Sequence, residues 1–284
     1  MGERNFKIKM INYLKDKYYW FNNFRKLKPF ISKIESEKIL LAGHPKSGNT
    51  WLRLLLYNYR TLLLNDSVSK TITYEILNEL QNNIMEKGTT FMPKDGYPFF
   101  YSTHNYNKPC FSLFTKKIFI HRNPLDTLIS AYYFYKNRDI PFFDDDKKKR
   151  EELYNIDFYV KNKLERWIDF YNNLIKGSDI VVNYTCLRKN CFAEFRKLII
   201  ELEWELNDDL IRKSIELSSF VKVRKMGVIS NQKYGNGPKD GSFKGNFTRS
   251  GEEGQFHNEL KKETILIVLN KFPEFKNLYP NLID

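Results

Sequence analysis

Cysteine is scarce in this chain. Only Cys110, Cys186 and Cys191 occur. An odd number at no metal-ligand spacing argues against a disulfide framework and a zinc site, and fits a reducing compartment. Long apolar runs are also missing. No stretch reaches the roughly 18 uncharged apolar residues of a membrane-spanning helix. The first residues, MGERNFKIKMINYLKDKYYW, are broken by charge every few positions. With no apolar segment among them, they predict no secretory leader. A cytoplasmic location follows as the expectation. Internal repeats and low-complexity linkers are absent as well.

What is present points to a folded enzyme-sized domain. The hydrophobic fraction of 42% excludes wholesale disorder, and 284 residues allow one large α/β domain or two small ones. The formal net charge of +13 predicts an anionic partner. That charge is unevenly spread. Residues 1–34 carry nine Lys/Arg against Glu3 and Asp16, a net +7, interleaved with Tyr18, Tyr19, Trp20, Phe21, Phe24 and Phe30. This basic aromatic arm suits an anionic membrane surface. It suits equally a helix packed on the flank of the domain with its lysines in water. The remainder, 35–284, reads as a single domain. The mixed-sign run 144–152 reads as a solvated loop.

Short apolar runs alternate with helical ones. Lys38–Ala42, Phe99–Thr103, Lys116–His121 and Asp179–Tyr184 read as strands. Helices are predicted over Asn49–Leu64, Thr71–Met85, Pro124–Lys136 and Asp157–Lys176, the last closed by Gly177. Further helices are predicted over 191–204, 207–218 and 256–271. Residues 226–254 hold seven of the thirteen glycines and read as a long functional loop. Alternating strands and helices predict a central parallel sheet flanked by helices. Ligands of such sheets bind beyond the carboxyl ends of the strands.

The first strand runs into Gly43-His44-Pro45-Lys46-Ser47-Gly48-Asn49-Thr50. Its glycine spacing matches a nucleotide-binding phosphate loop, where curled backbone N–H groups and a helix N-terminus attract an anion. The lysine lies inside the loop at Lys46, however, and Asn49 stands where that motif has its lysine. The third strand ends in His121-Arg122 and not in a metal-binding acid. The loop thus fits an anion, while the pattern for metal-assisted nucleotide hydrolysis is broken. Arg122 leaves a strand beside a helix N-terminus, so guanidinium and helix dipole converge on one anion, and Ser130 follows about two turns on.

Pro45-Lys46-Ser47-Gly48-Asn49-Thr50-Trp51 closely resembles the P-K-S-G-T/N-T-W signature of the PAPS-dependent sulfotransferases. Arg122-Asn123-Pro124-Leu125-Asp126 with Ser130 resembles the family's next element, and the likeness runs in order over about residues 36 to 260. The resemblance implies a P-loop-like phosphosulfate site. Lys46 would contact the donor near its bridging oxygen. Ser47, Gly48, Asn49 and Thr50 would cradle the 5′-phosphate, with Trp51 near the adenine. Arg122 and Ser130 would take the 3′-phosphate, closed over by Arg249, Ser250 and Gly251. Tyr184, Ser218 and Phe220 would contact the purine. Thr185 and Cys186 stand where the family commonly has acids after Tyr184, and Ser102 where some members have a lysine. His104 matches the family's histidine base, and a neutral imidazole suits that work near pH 7.

The resemblance therefore implies 3′-phosphoadenosine 5′-phosphosulfate as co-substrate, no metal, and a hydroxyl-bearing acceptor. That acceptor would be a glycan, a glycolipid, or a small alcohol or phenol. A P-loop kinase is the alternative, weakened by the displaced lysine and the missing acid. A nucleic-acid partner is not expected, because the charge concentrates in one arm and not along a groove.

Overall fold

The computed structural model describes residues 18, 21–34, 37–64, 77, 84, 100–136, 154–225 and 251–282. Four short strands form its centre: β1 (Ile39–Ala42), β2 (Phe100–Thr103), β3 (Lys116–His121) and β4 (Ile180–Asn183). All pair in parallel in the order β2-β1-β3-β4. The register sets Ala42 beside both Thr103 and Phe119, and His121 beside Asn183. The four carboxyl ends therefore open on one edge of the sheet.

Period-two alternation divides the core. Leu40, Ala42, Tyr101 and Phe119 face one layer, while Ile39, Leu41, Ile118 and Ile120 face the other. Among the described residues these faces are covered by α1 (residues 21–31), α2 (Asn49–Leu63), α3 (Pro124–Lys136), α4 (Ile156–Gly177), α5 (Cys191–Glu201), α6 (Asp208–Leu217) and one more helix near the C-terminus. The first layer takes α1, α3, α4 and the C-terminal α7 (Lys262–Lys271); the second takes α2, α5 and α6. Part of the basic arm is thus built into the fold. Leu27, Ile31 and Ile34 are buried in the first layer, whereas Tyr18, Phe21 and Phe30 remain exposed.

Several boundaries differ from expectation for local reasons. Gly177 does not end α4 in a left-handed turn, because the chain passes to an extended Ser178. Its small size instead admits Tyr106, whose ring lies 3.3 Å from where a Cβ would stand. The fourth strand stops at Asn183, whose side chain accepts from Thr185 N at 2.9 Å and starts a helical turn, Tyr184–Lys189. The expected helix over 256–271 is split into Phe256–Glu259 and α7, with Leu260 extended and Lys261 N donating to Asp157 at 3.0 Å. A last turn, Phe275–Leu278, adds buried Phe275 to the first layer. The helix expected over Thr71–Met85 lies outside the described residues save for Leu77 and Ile84, both buried. Residues 226–250 of the expected glycine-rich loop also lie outside them.

Candidate functional site

The loop after β1 is shaped by two left-handed residues, Lys46 (φ 74°) and Gly48 (φ 99°). Gly43 and Gly48 are both required by crowding. A Cβ on Gly43 would strike the Asn49 carboxamide, and one on Gly48 would strike the Tyr184 ring. Asn49 Nδ2 donates to the His44 carbonyl at 2.8 Å and ties the loop across its base. No side chain caps the start of α2, so its first-turn N–H groups, those of Asn49, Thr50 and Trp51, have no side-chain acceptor at the cap. Ser47 Oγ is buried with no hydrogen-bond partner. An orphaned hydroxyl beside an uncapped helix start is what an anion-binding loop requires.

The end of β2 is clipped to this loop. Gly43 N donates to the Thr103 carbonyl at 3.2 Å, and His104 Nδ1 lies 2.8 Å from the Gly43 carbonyl. A carbonyl only accepts, so Nδ1 carries the proton and the imidazole lone pair sits on Nε2. His44, within electrostatic reach of His104, has its pKa lowered to about 4, chiefly by burial, and stays neutral at pH 7. Lys46 Nζ stands 4.4 Å from the centroid of the Phe134 ring.

At the end of β3, Arg122 is buried over the Tyr184 ring, 4.9 Å from its centroid. Its guanidinium donates to the Glu252 carbonyl and lies 3.7 Å from Asp126 Oδ2. Its Nε is buried with no partner. Asp126 in turn accepts from Asn123 Nδ2 at 2.9 Å and from Gly254 N at 2.8 Å. The Arg122–Asp126 turn is thereby bound to the 251–254 loop. Tyr184 Oη donates to the Gly251 carbonyl at 3.1 Å, and Trp51 meets the Tyr184 ring edge-on at 5.9 Å. Gly251 is left-handed (φ 68°), and a Cβ there would stand 3.0 Å from Phe220 and 3.3 Å from an Arg188 nitrogen. Glu253 accepts from Thr185 Oγ1, and burial raises its carboxyl pKa above the usual range.

A family model of the sulfotransferase domain matches residues 36–272. The chain belongs to the sulfotransferase domain family. Among curated proteins, this sulfotransferase-domain chain is 27% identical over 198 residues to a WSCD family member of Drosophila melanogaster, covering 68% of this chain and 59% of the relative. It thus spans less than two thirds of the first relatives it matches. It is 22% identical over 255 residues to a flavonol 4′-sulfotransferase of Flaveria chlorifolia, covering 76% of each. The fold is that of a mouse sulfotransferase crystallised with PAP, with TM-score 0.58, 18% identity and coverage of 91% and 88%. A retinol dehydratase structure with retinol and PAP superposes at TM-score 0.63 and 12% identity over 90% and 85% of the two chains.

Within the sulfotransferase fold, the expected residues fall into four groups. Lys46 to Trp51, His104, Arg122, Tyr184, Phe220 and Gly251 gather at the strand ends through the contacts above. Ser130 lies half-buried on α3, two turns after Arg122. Ser218 does not join them: it is fully buried, and its hydroxyl accepts from Asn58 on α2 at 2.9 Å. Arg249 and Ser250 lie outside the described residues. Sequence reasoning missed Arg188 and Glu253. No local signal marks either, since each acquires its place only when the Tyr184–Lys189 turn meets the 251–254 loop. Asp126 stood inside a recognised motif and was legible there.

Proposed function

We propose that the chain transfers a sulfuryl group from 3′-phosphoadenosine 5′-phosphosulfate to an acceptor hydroxyl. One observation carries this reading above the others. The histidine after β2 is held by the carbonyl of the loop's first glycine, with its lone pair on Nε2. A base and an anion loop are thus rigidly joined, as proton removal beside a phosphosulfate requires. The orphaned Ser47 hydroxyl, the uncapped α2 and the unpartnered Arg122 Nε fit an anionic nucleotide.

The donor supplies an activated sulfuryl group, and transfer yields a sulfate ester, adenosine 3′,5′-bisphosphate and a proton. His104 takes the acceptor's proton at Nε2. Lys46 opposes charge developing on the leaving phosphate. The loop N–H groups and Thr50 hold the 5′-phosphate. Arg122, Ser130, Arg249, Ser250 and Gly251 hold the 3′-phosphate, and Trp51, Tyr184 and Phe220 flank the base. The acceptor is a glycan, a glycolipid, or a small alcohol or phenol in the cytoplasm. The arm, residues 1–34, turns Arg25, Lys26, Lys28 and Phe21 outward, a face suited to an anionic leaflet.

Calorimetry with nucleotides tests the reading. Adenosine 3′,5′-bisphosphate should bind about 10- to 100-fold more tightly than AMP, the equivalent of one charge-assisted bond. Equal affinities would overturn it. His104→Ala should lower turnover about 10²–10⁴-fold while nucleotide affinity stays unchanged. Activity should survive EDTA; loss restored by Mg²⁺ would point to phosphotransfer.

A further inference from the structure

We propose that Phe134 is a positioning residue for Lys46, fixing the direction of its ammonium group before any ligand binds. The inference rests on the role given to Lys46 above. Lysine carries four flexible methylenes, and an unrestrained ammonium samples a wide arc. Here both ends of the side chain are set. At the backbone end, Lys46 is left-handed (φ 74°), a region that non-glycine residues rarely occupy. At the other end, Nζ lies 4.4 Å from the Phe134 ring centroid, well inside cation–π range.

The ring itself is mounted firmly. Phe134 lies on α3, whose Leu125, Leu128 and Ile129 are fully buried, and its edge meets Tyr135 at 5.5 Å. Four residues separate Phe134 from Ser130, so both lie on one face of that helix. The helix that follows Arg122 therefore also bears the ring that directs Lys46. One rigid element joins the two ends of the anion site.

The choice of an aromatic ring has a chemical logic. Its face attracts an ammonium through the quadrupole and brings no net negative charge. A carboxylate in that position would direct the lysine too, but would repel the anion that the loop receives. The ring aims Lys46 without placing a negative charge beside the anion.

Replacing Phe134 with 4-fluoro-, 3,5-difluoro- and 3,4,5-trifluorophenylalanine keeps the ring's shape and drains its negative face stepwise. In the full-length protein, kcat should fall progressively with fluorine number, by about three- to tenfold at the end of the series. Affinity for adenosine 3′,5′-bisphosphate should change less than about twofold, since the role proposed for the ring is to aim Lys46 at the leaving group and not to bind the nucleotide. Phe134→Leu should match the trifluoro variant, and Phe134→Trp should restore the rate. An activity-free readout accompanies these. In the ligand-free protein, the Lys46 Hε resonances, assigned by their loss in Lys46→Arg, should be ring-shifted and return to ordinary values in Phe134→Leu. A flat fluorine series alongside robust transfer would overturn the positioning role alone. Unshifted Lys46 resonances would overturn the contact. Ring-shifted resonances in a wild-type chain that sulfates no phenol, alcohol or glycan would bring down the sulfotransfer reading, and the positioning role with it.

Discussion

At the scale of single residues, the site depends on places where only one side chain, or none, fits. Gly48 is the sharpest case. Its φ of 99° and the Tyr184 ring against it both exclude a Cβ. Gly48→Ala should cost about 1–3 kcal/mol of stability and weaken nucleotide binding. Urea denaturation with calorimetry on the same variant checks both; a wild-type midpoint would show that the loop yields. Arg188 is a second case. It stands beside Gly251 and acts on Glu253 through its charge. Arg188→Ala should narrow the preference for adenosine 3′,5′-bisphosphate over AMP about tenfold, with AMP affinity unchanged. The placement of Lys46, Arg122 and Tyr184 at strand ends was legible in the sequence because each follows a strand within one to four residues. The surroundings of Ser218 were not legible, for the opposite reason. Its motif is local, but which way it turns is decided by Asn58, 160 residues away.

At the scale of elements, asparagine does much of the delimiting. Asn155, Asn183, Asn190 and Asn207 each cap a helix start through side-chain Oδ1. Asn207 accepts from both Asp209 N and Leu210 N at 3.1 Å. Asn207→Ala should therefore destabilise the protein by about 1 kcal/mol, and Asn207→Asp should leave it nearly unchanged. Chemical denaturation reads the difference. The four strands and the helices that bury a continuous stripe were legible from apolar runs and periodicity alone. Their ends were less so. The end of β4 is set by the Asn183 cap, and the break before α7 by a backbone bond to Asp157. Asp157 lies 104 residues from Lys261 and is invisible to a window that slides along the chain.

At the scale of the whole molecule, acid acts against the fold through buried imidazole. His121 is 3% exposed, and burial lowers its pKa from 6.5 to about 4. The unfolded chain takes up its proton below pH 6.5, whereas the folded chain resists until about pH 4. Stability is thus full above pH 6.5 and falls as the pH drops through this window, by at most about 3 kcal/mol for this group. His44 acts in the same direction; Glu253, with its raised pKa, opposes it. Urea midpoints at pH 7, 5.5 and 4.5 should fall in wild type and fall less in His121→Phe. The basic arm also acts at this scale. Because Leu27 and Ile31 belong to the core, charge reversal tests membrane contact better than deletion does. Full-length protein should bind anionic vesicles in a salt-sensitive way, and Arg25→Glu/Lys26→Glu/Lys28→Glu should abolish binding, each charge contributing about 1 kcal/mol. Vesicle binding that ignores the triple substitution would remove the arm from consideration.

His121 Nδ1 and Tyr279 Oη are 2.6 Å apart in space and 158 residues apart in the chain. During synthesis at about 5–20 residues per second, roughly 10–30 s separate their emergence from the ribosome. For most of that interval the sheet's first layer lacks Phe256, Phe272, Phe275 and Tyr279, and Arg122 lacks the loop that covers it. The nascent chain therefore displays an unfinished aromatic face until residues 256–279 arrive. The anion pocket therefore closes only after all four strands have been made, because Arg122 and Asp126 wait for residues 252 and 254.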